Sequence, residues 1–182
     1  MQEFKTAKES RVSITELMLP AHSNFSGKVH GGHILNLMDQ IAFACASRHS
    51  QCYCVTASVN TVNFLNPIEV GELVTLKASV NYTGRTSMVV GVRVESENIT
   101  TGKRKHCNSS YFTMVAKNTD GKSVPVPGLI LEDNNGIRRF TRSIRRKEQA
   151  SMRGSRFDSA TYRVEEHMGL LDGQNAQVVM KA

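Results

Sequence analysis

The chain has 182 residues, 40% of them hydrophobic and 21% charged, with 13 Gly and 4 Pro. That suffices for one sizeable core, falls short of two full domains and excludes a chain that is disordered throughout. The net charge of +7 does not mark a nucleic-acid-binding domain, because eight basic residues and one acid between Arg138 and Arg156 carry all of it and leave the remainder neutral.

The opening residues, Met1 to Arg11, are followed by no apolar run long enough for a signal peptide or a membrane span, so a cytoplasmic protein is expected. Cys45, Cys52, Cys54 and Cys107 are too few for a stapled secreted scaffold and fit reduced thiols. Val12, Ile14, Leu17 and Leu19 have strand-like spacing, and Pro20 ends that first strand. Ala21 to Lys28 reads as a loop with turn chemistry. From His33 to about Ser47, Ile34, Leu37, Met38, Ile41, Ala42 and Cys45 recur at spacings of three and four, which predicts a helix buried on several sides.

After the helix the period changes to two. Val55 to Val62 alternates up to Asn66-Pro67, Gly71-Glu72 opens a second run, Thr83-Gly84-Arg85 turns into a third over Met88 to Glu95, and Lys103 to Val115 forms the last strand. One strand, one apolar helix and four antiparallel strands predict an α+β layer in which the sheet curls around the helix. The open sheet edges favour pairing with a second copy, so at least a homodimer is expected. Residues 1–10 read as an N-terminal extension, 11–129 as the folded domain, and 130–182 as a basic C-terminal tail, partly helical or flexible. With Phe140 its only aromatic between Arg138 and Arg156, that run is not suited to stacking on bases, and no nucleic-acid partner is expected.

Asp39 carries the chemical interest. Its helix neighbours Leu35, Ala42 and Ala46 are apolar, and a carboxylate on such a stripe needs a partner or a task. A pairing with Arg48 or His49 would satisfy it without any catalysis. Gly31 and Gly32, just ahead of the helix, leave backbone N–H groups unobstructed at its positive end, where a carbonyl oxygen gaining negative charge can be held. A carboxylate two turns beyond such a place describes a site for acyl transfer. His49, Cys52 and Cys54 could ligate zinc, but no fourth ligand is near in sequence, so no metal is expected.

The stretch from Asn24-Phe25-Ser26-Gly27-Lys28-Val29-His30-Gly31-Gly32 to Leu37-Met38-Asp39 resembles the corresponding block of hotdog-fold acyl-CoA hydrolases. Val55-Thr56-Ala57-Ser58-Val59-Asn60, Asn63 to Ile68, Tyr82-Thr83-Gly84-Arg85-Thr86-Ser87 and Gly121 to Pro127 are similar to the later blocks of that family, in the same order. The resemblance covers about residues 11 to 129 and implies a hotdog fold and a thioester hydrolase acting on acyl-CoA. It further implies a site shared between subunits, in which Asp39 of one chain acts as general base or nucleophile. Asn24 of the other chain would orient water or substrate. The Gly32 N–H would polarise the carbonyl, and Gly31, Arg85, Thr86 and Ser87 would bind coenzyme A. No cofactor is implied, since coenzyme A belongs to substrate and product. A hexamer built as a trimer of dimers is the family's assembly. The alternatives are a hotdog hydratase or dehydratase using His30 or His33, and a non-catalytic acyl-CoA-binding module.

Overall fold

The computed structural model describes residues 3–156 together with Arg163 and Gly169. Two compact units divide between Ile144 and Arg145. In the first, chain order is β1 (Phe4–Thr6), α1 (Ala7–Ser10), β2 (Val12–Leu17), a single 3-10 turn (Pro20–His22), α2 (Gly31–Ser50), β3 (Tyr53–Val59), β4 (Glu72–Thr83), β5 (Ser87–Asn98), β6 (Arg104–Lys117) and β7 (Gly128–Ile130). A last helix, α3 (Asn134–Arg156), begins in this unit and supplies the described start of the second.

Five strands form one antiparallel sheet in the order β2-β4-β5-β6-β3. Alternation sets its inner face: Val74, Leu76, Ala78 and Val80 on β4, Met88, Val90, Val92 and Val94 on β5, and Phe112, Met114 and Ala116 on β6 are all buried. Ile34, Leu37, Met38, Ile41, Ala42, Cys45 and Ala46 of α2 pack into the same core. The expected α+β arrangement of a sheet curled over one long helix is the one observed.

The helix is longer than its apolar pattern, because its ends are set by backbone bonding. At the start the His30 ring accepts from Gly32 N–H, and at the end Gln51 takes the left-handed conformation (φ 56°) and donates to Ser47 O. β3 ends at Val59, earlier than the alternation predicts. Beyond it the chain leaves the strand but stays tied to β6, with Asn60 N–H donating to Tyr111 O and Leu65 N–H to Cys107 O.

Residues assigned to an N-terminal extension include β1 and α1. β1 pairs in parallel with β7, matching Phe4 with Gly128, and a Cβ at Gly128 would collide with the Phe4 ring. The first unit therefore continues past residue 129, through β7 and into α3, which Asp133 caps by accepting from Gly136 N–H at 2.6 Å. Within this unit Phe140 of α3 lies 4.9 Å from the Tyr82 ring. No helix among the described residues is long and apolar enough to cross a membrane.

His49 fastens the far end of α2 to these additions. It is fully buried, its Nε2 donates to Pro127 O at 3.2 Å, and its Nδ1 lies 3.3 Å from Ser10 Oγ. Burial holds its pKa below the ordinary value, with the nearby Lys5 acting in the same direction. In acid the unfolded chain thus binds a proton that the native state refuses. This contribution to stability is intact above about pH 6.5 and declines as pH falls from there through the lowered native value. Urea midpoints between about pH 7.5 and 5 should fall more steeply for the native protein than for His49→Gln; parallel curves would exclude His49 as a source of acid sensitivity.

Candidate active site

Asp39 projects from α2 toward β3, and Thr56 Oγ1 donates to its Oδ1 at 2.6 Å. The pairing follows from register. Thr56 opposes Met114, whose side chain is buried on the face that covers the helix, so Thr56 points toward α2 as well. Directly after it the register shifts between Thr56 and Ser58, a bulge of the kind that re-aims side chains on sheet edges.

Neither basic residue near Asp39 in sequence partners it. Arg48 donates to Arg11 O, and His49 is buried against Ser10 and Pro127. Nor is the Asp39 stripe enclosed within one chain. Ala42 and Ala46 are buried, but Asp39 itself is exposed, and Leu35 and Phe43, one turn to either side, are 37% and 38% exposed. Phe43 meets the exposed Tyr53 edge-on at 5.6 Å. The carboxylate stands on an uncovered apolar margin that runs from α2 to the outer strand β3.

The loop before the helix is organised by Asn24. Its Oδ1 accepts from Ser26 N–H, Ser26 Oγ and Lys28 N–H, while its own N–H donates to Lys28 O. The Asn24 Nδ2 group has no partner among the described residues. Lys28 pairs with Glu69 at 2.6 Å and anchors the loop to the strand-like segment after Pro67. Within a single chain no bond joins Asn24 to Asp39.

Gly31 and Gly32 begin α2, but the two amides differ. Gly32 N–H is taken by His30 Nδ1 at 2.9 Å, whereas Gly31 N–H has no partner among the described residues. Both positions are tight: a Cβ on Gly31 would lie 3.1 Å from Phe64 Cζ, and one on Gly32 3.0 Å from His30 Nδ1. His33, like His30, is engaged, with Nε2 3.1 Å from Glu16 Oε1.

Arg85 and Thr86 lie in the β4–β5 connection, and Ser87 opens β5. Ala116 N–H donates to Thr86 O and Val126 N–H to Arg85 O, which leaves the Arg85 side chain exposed. Met88, next to Ser87, shares Met114 with Thr56 as cross-strand partner. Thr56 and Met88 thus lie in one sheet row, two strand spacings or roughly 10 Å apart, and the row continues to Thr83 of β4. Of the cysteines, Cys45 is deeply buried, and burial pushes its thiol up to about 12. The one group of potential metal ligands among the described residues is Glu16, His22 and His33, not His49 with Cys52 and Cys54.

Residues 26–103 match the family model described as the thioesterase superfamily. The chain is 43% identical over 143 residues to protein VdlD of Helicobacter pylori, covering 79% of this chain and 82% of that one. It is 34% identical over 151 residues to an uncharacterized acyl-CoA thioester hydrolase, YkhA, of Bacillus subtilis, covering 83% and 88%. Among solved structures, an apo-hexameric acyl-CoA thioesterase superposes with a TM-score of 0.81 at 37% identity, over 84% of this chain and 97% of that one. An acyl-CoA hydrolase of Staphylococcus aureus in complex with butyryl coenzyme A, coenzyme A and coenzyme A disulfide superposes with a TM-score of 0.78 at 28% identity, over 93% and 99%. Mutants of that hydrolase with an Asp, an Asn or a Thr changed to Ala have also been solved.

The His30 cap can be tested on its own. His30→Ala should destabilise the protein by about 0.5–2 kcal/mol and accelerate amide exchange at Gly32, with His30→Asn recovering most of the loss. Unfolding by urea together with hydrogen exchange reads both, and unchanged exchange at Gly32 would remove the cap.

Proposed function

The chain belongs to the thioesterase superfamily, and from that premise we propose that it hydrolyses acyl-CoA to a free acid and coenzyme A by means of an Asp39-activated water. The observation that carries the reading is the Asp39–Thr56 hydrogen bond on an exposed apolar margin. In the Staphylococcus aureus hydrolase the mutated Asn and Asp are fifteen positions apart, and the Asp and Thr seventeen. Asn24, Asp39 and Thr56 have the same two spacings. Thr56 thus joins the residues nominated from sequence.

Asp39 accepts a proton from water as the water oxygen attacks the thioester carbonyl, with Thr56 fixing the orientation of the carboxylate. The carbonyl oxygen, now negative, is held at the amino end of α2. Gly31 N–H is available for this, and Gly32 N–H joins it once the His30 ring turns away. Collapse of the tetrahedral intermediate breaks the C–S bond, and the proton held by Asp39 passes to the departing thiolate. A thioester is already activated, so the scheme requires neither metal nor cofactor. Asn24 uses its free Nδ2 to orient water or substrate, and Arg85, Thr86 and Ser87 receive the phosphates of coenzyme A, for which a guanidinium is well shaped.

The second half of the site comes from another copy. The exposed Leu35, Phe43 and Tyr53 and the unpaired outer edge of β3 call for a cover, and a hexameric thioesterase has the same fold. We therefore assign a dimer in which Asn24 of one chain faces Asp39 of the other, assembled further as a trimer of dimers. The four free cysteines suit a reducing, cytoplasmic setting.

Asp39→Ala should remain folded and oligomeric while thiol release from acyl-CoA drops by orders of magnitude; near-normal turnover would dismiss Asp39. Asn24→Ala should be similarly impaired. Dissociated and re-mixed, the two inactive variants should regain up to about a quarter of native activity, because half of the dimers then hold one intact site. A mixture as inactive as its components would place both residues in the same chain's site. Arg85→Ala should raise KM for acyl-CoA with little change in kcat, as loss of uniform binding requires.

A further inference from the structure

Beside the catalytic loop, three residues from separate elements converge: Glu16 on β2, His22 in the 3-10 turn and His33 in the first turn of α2. Glu16 Oε1 lies 3.1 Å from His33 Nε2 and 3.8 Å from His22 Nδ1, and one donor atom from each residue fits within 4.8 Å of the others. The two imidazoles stack at 3.9 Å with 18° between their planes, and each has one ring nitrogen near Glu16 Oε1.

We propose that Glu16, His22 and His33 bind a divalent transition-metal ion of the zinc class, which staples together the two ends of the loop that carries Asn24. Zinc bonds of 2.0–2.2 Å in tetrahedral geometry set ligand atoms about 3.3 Å apart, so the measured 3.1 and 3.8 Å distances change little, but an ion lies in the plane of each imidazole it binds, so one of the two stacked rings also turns out of the stack. Two imidazoles and one carboxylate suit Zn2+, Co2+ or Ni2+ and not Mg2+ or Ca2+, which prefer oxygen donors throughout. Side-chain exposures of 20% for His22, 22% for His33 and 35% for Glu16 leave room for water at a fourth position.

The backbone holds the ligands in place. Glu16 is paired with Val74 in the sheet, and His22 and His33 flank the segment from Ser23 to Gly32, whose ends already meet through His30 N–H donating to His22 O at 2.8 Å. Metal binding replaces the 3.2 Å bond that His22 Nδ1 accepts from Leu19 N–H and the 3.1 Å hydrogen bond between His33 Nε2 and Glu16 Oε1, and it parts the two stacked rings. The ion is structural in this role: it adds a second closure at the base of the loop and takes no part in the proposed chemistry.

The test uses the full-length protein, stripped of metal and titrated with Co2+. One equivalent per chain should bind with the visible absorption of four- or five-coordinate Co2+, be displaced by Zn2+, and shift the imidazole resonances of His22 and His33 in the native protein. The absorption should vanish in His33→Gln and in Glu16→Gln, and persist when Cys52 and Cys54 are both replaced by Ser. Absence of stoichiometric binding, absorption that survives in His33→Gln, or paramagnetic shifts at other histidines in place of these two would each overturn the assignment. The resonance shifts need no substitution, so a variant that fails to fold does not blunt the test.

Discussion

The structure depends on covering α2. Its buried residues recur on one broad stripe, and large side chains such as Ile34, Leu37, Met38 and Ile41 each contribute about 1.5–3 kcal/mol by leaving water. Five strands curl over that stripe but cannot close around it, because β2 and β3 remain edges. What they leave bare is the margin with Leu35, Asp39 and Phe43. Core and site are thus one arrangement: the sheet secures the helix, and the flank it fails to reach is where a carboxylate can stay accessible beside apolar surface.

Much of this was legible in the sequence where a period repeats often enough. The twelve-residue strands β4 and β5 alternate without ambiguity, and the three-and-four spacing from Ile34 to Cys45 describes α2. β1 and β7 were not legible, since three residues contain no period and their parallel pairing joins chain segments more than a hundred residues apart. The extra turns of α2 were hidden for another reason. They rest on the His30 ring at one end and a left-handed Gln51 at the other, and neither residue belongs to the customary capping set.

The site divides in the same way. Asp39 and the glycine pair stand out because their residue types conflict with the simplest reading of their surroundings. Thr56 does not, as threonine is ordinary in a strand, and alternation says which face it occupies without saying what it meets there. Only the pairing of β3 with β6 brings it over the helix. The amide of Gly32 is the opposite case: its place before the helix suggested a free donor, and a neighbouring ring two residues away occupies it. Exposure of Asp39 could not be inferred from an apolar stripe, because one chain's pattern records burial in an assembly as readily as burial in itself.

The Thr56–Asp39 bond also joins parts of unequal permanence. α2 is locked into the core along most of its length, whereas β3 is an outer strand with one bonded neighbour and a bulge next to the threonine. Edge segments of this kind open at lower free energy than the body of the protein. In a lone chain, fraying of β3 would release the carboxylate's orienting partner while helix and sheet persist; a second copy covering that edge, as in the proposed dimer, raises the cost of this opening and ties the site's lifetime to assembly.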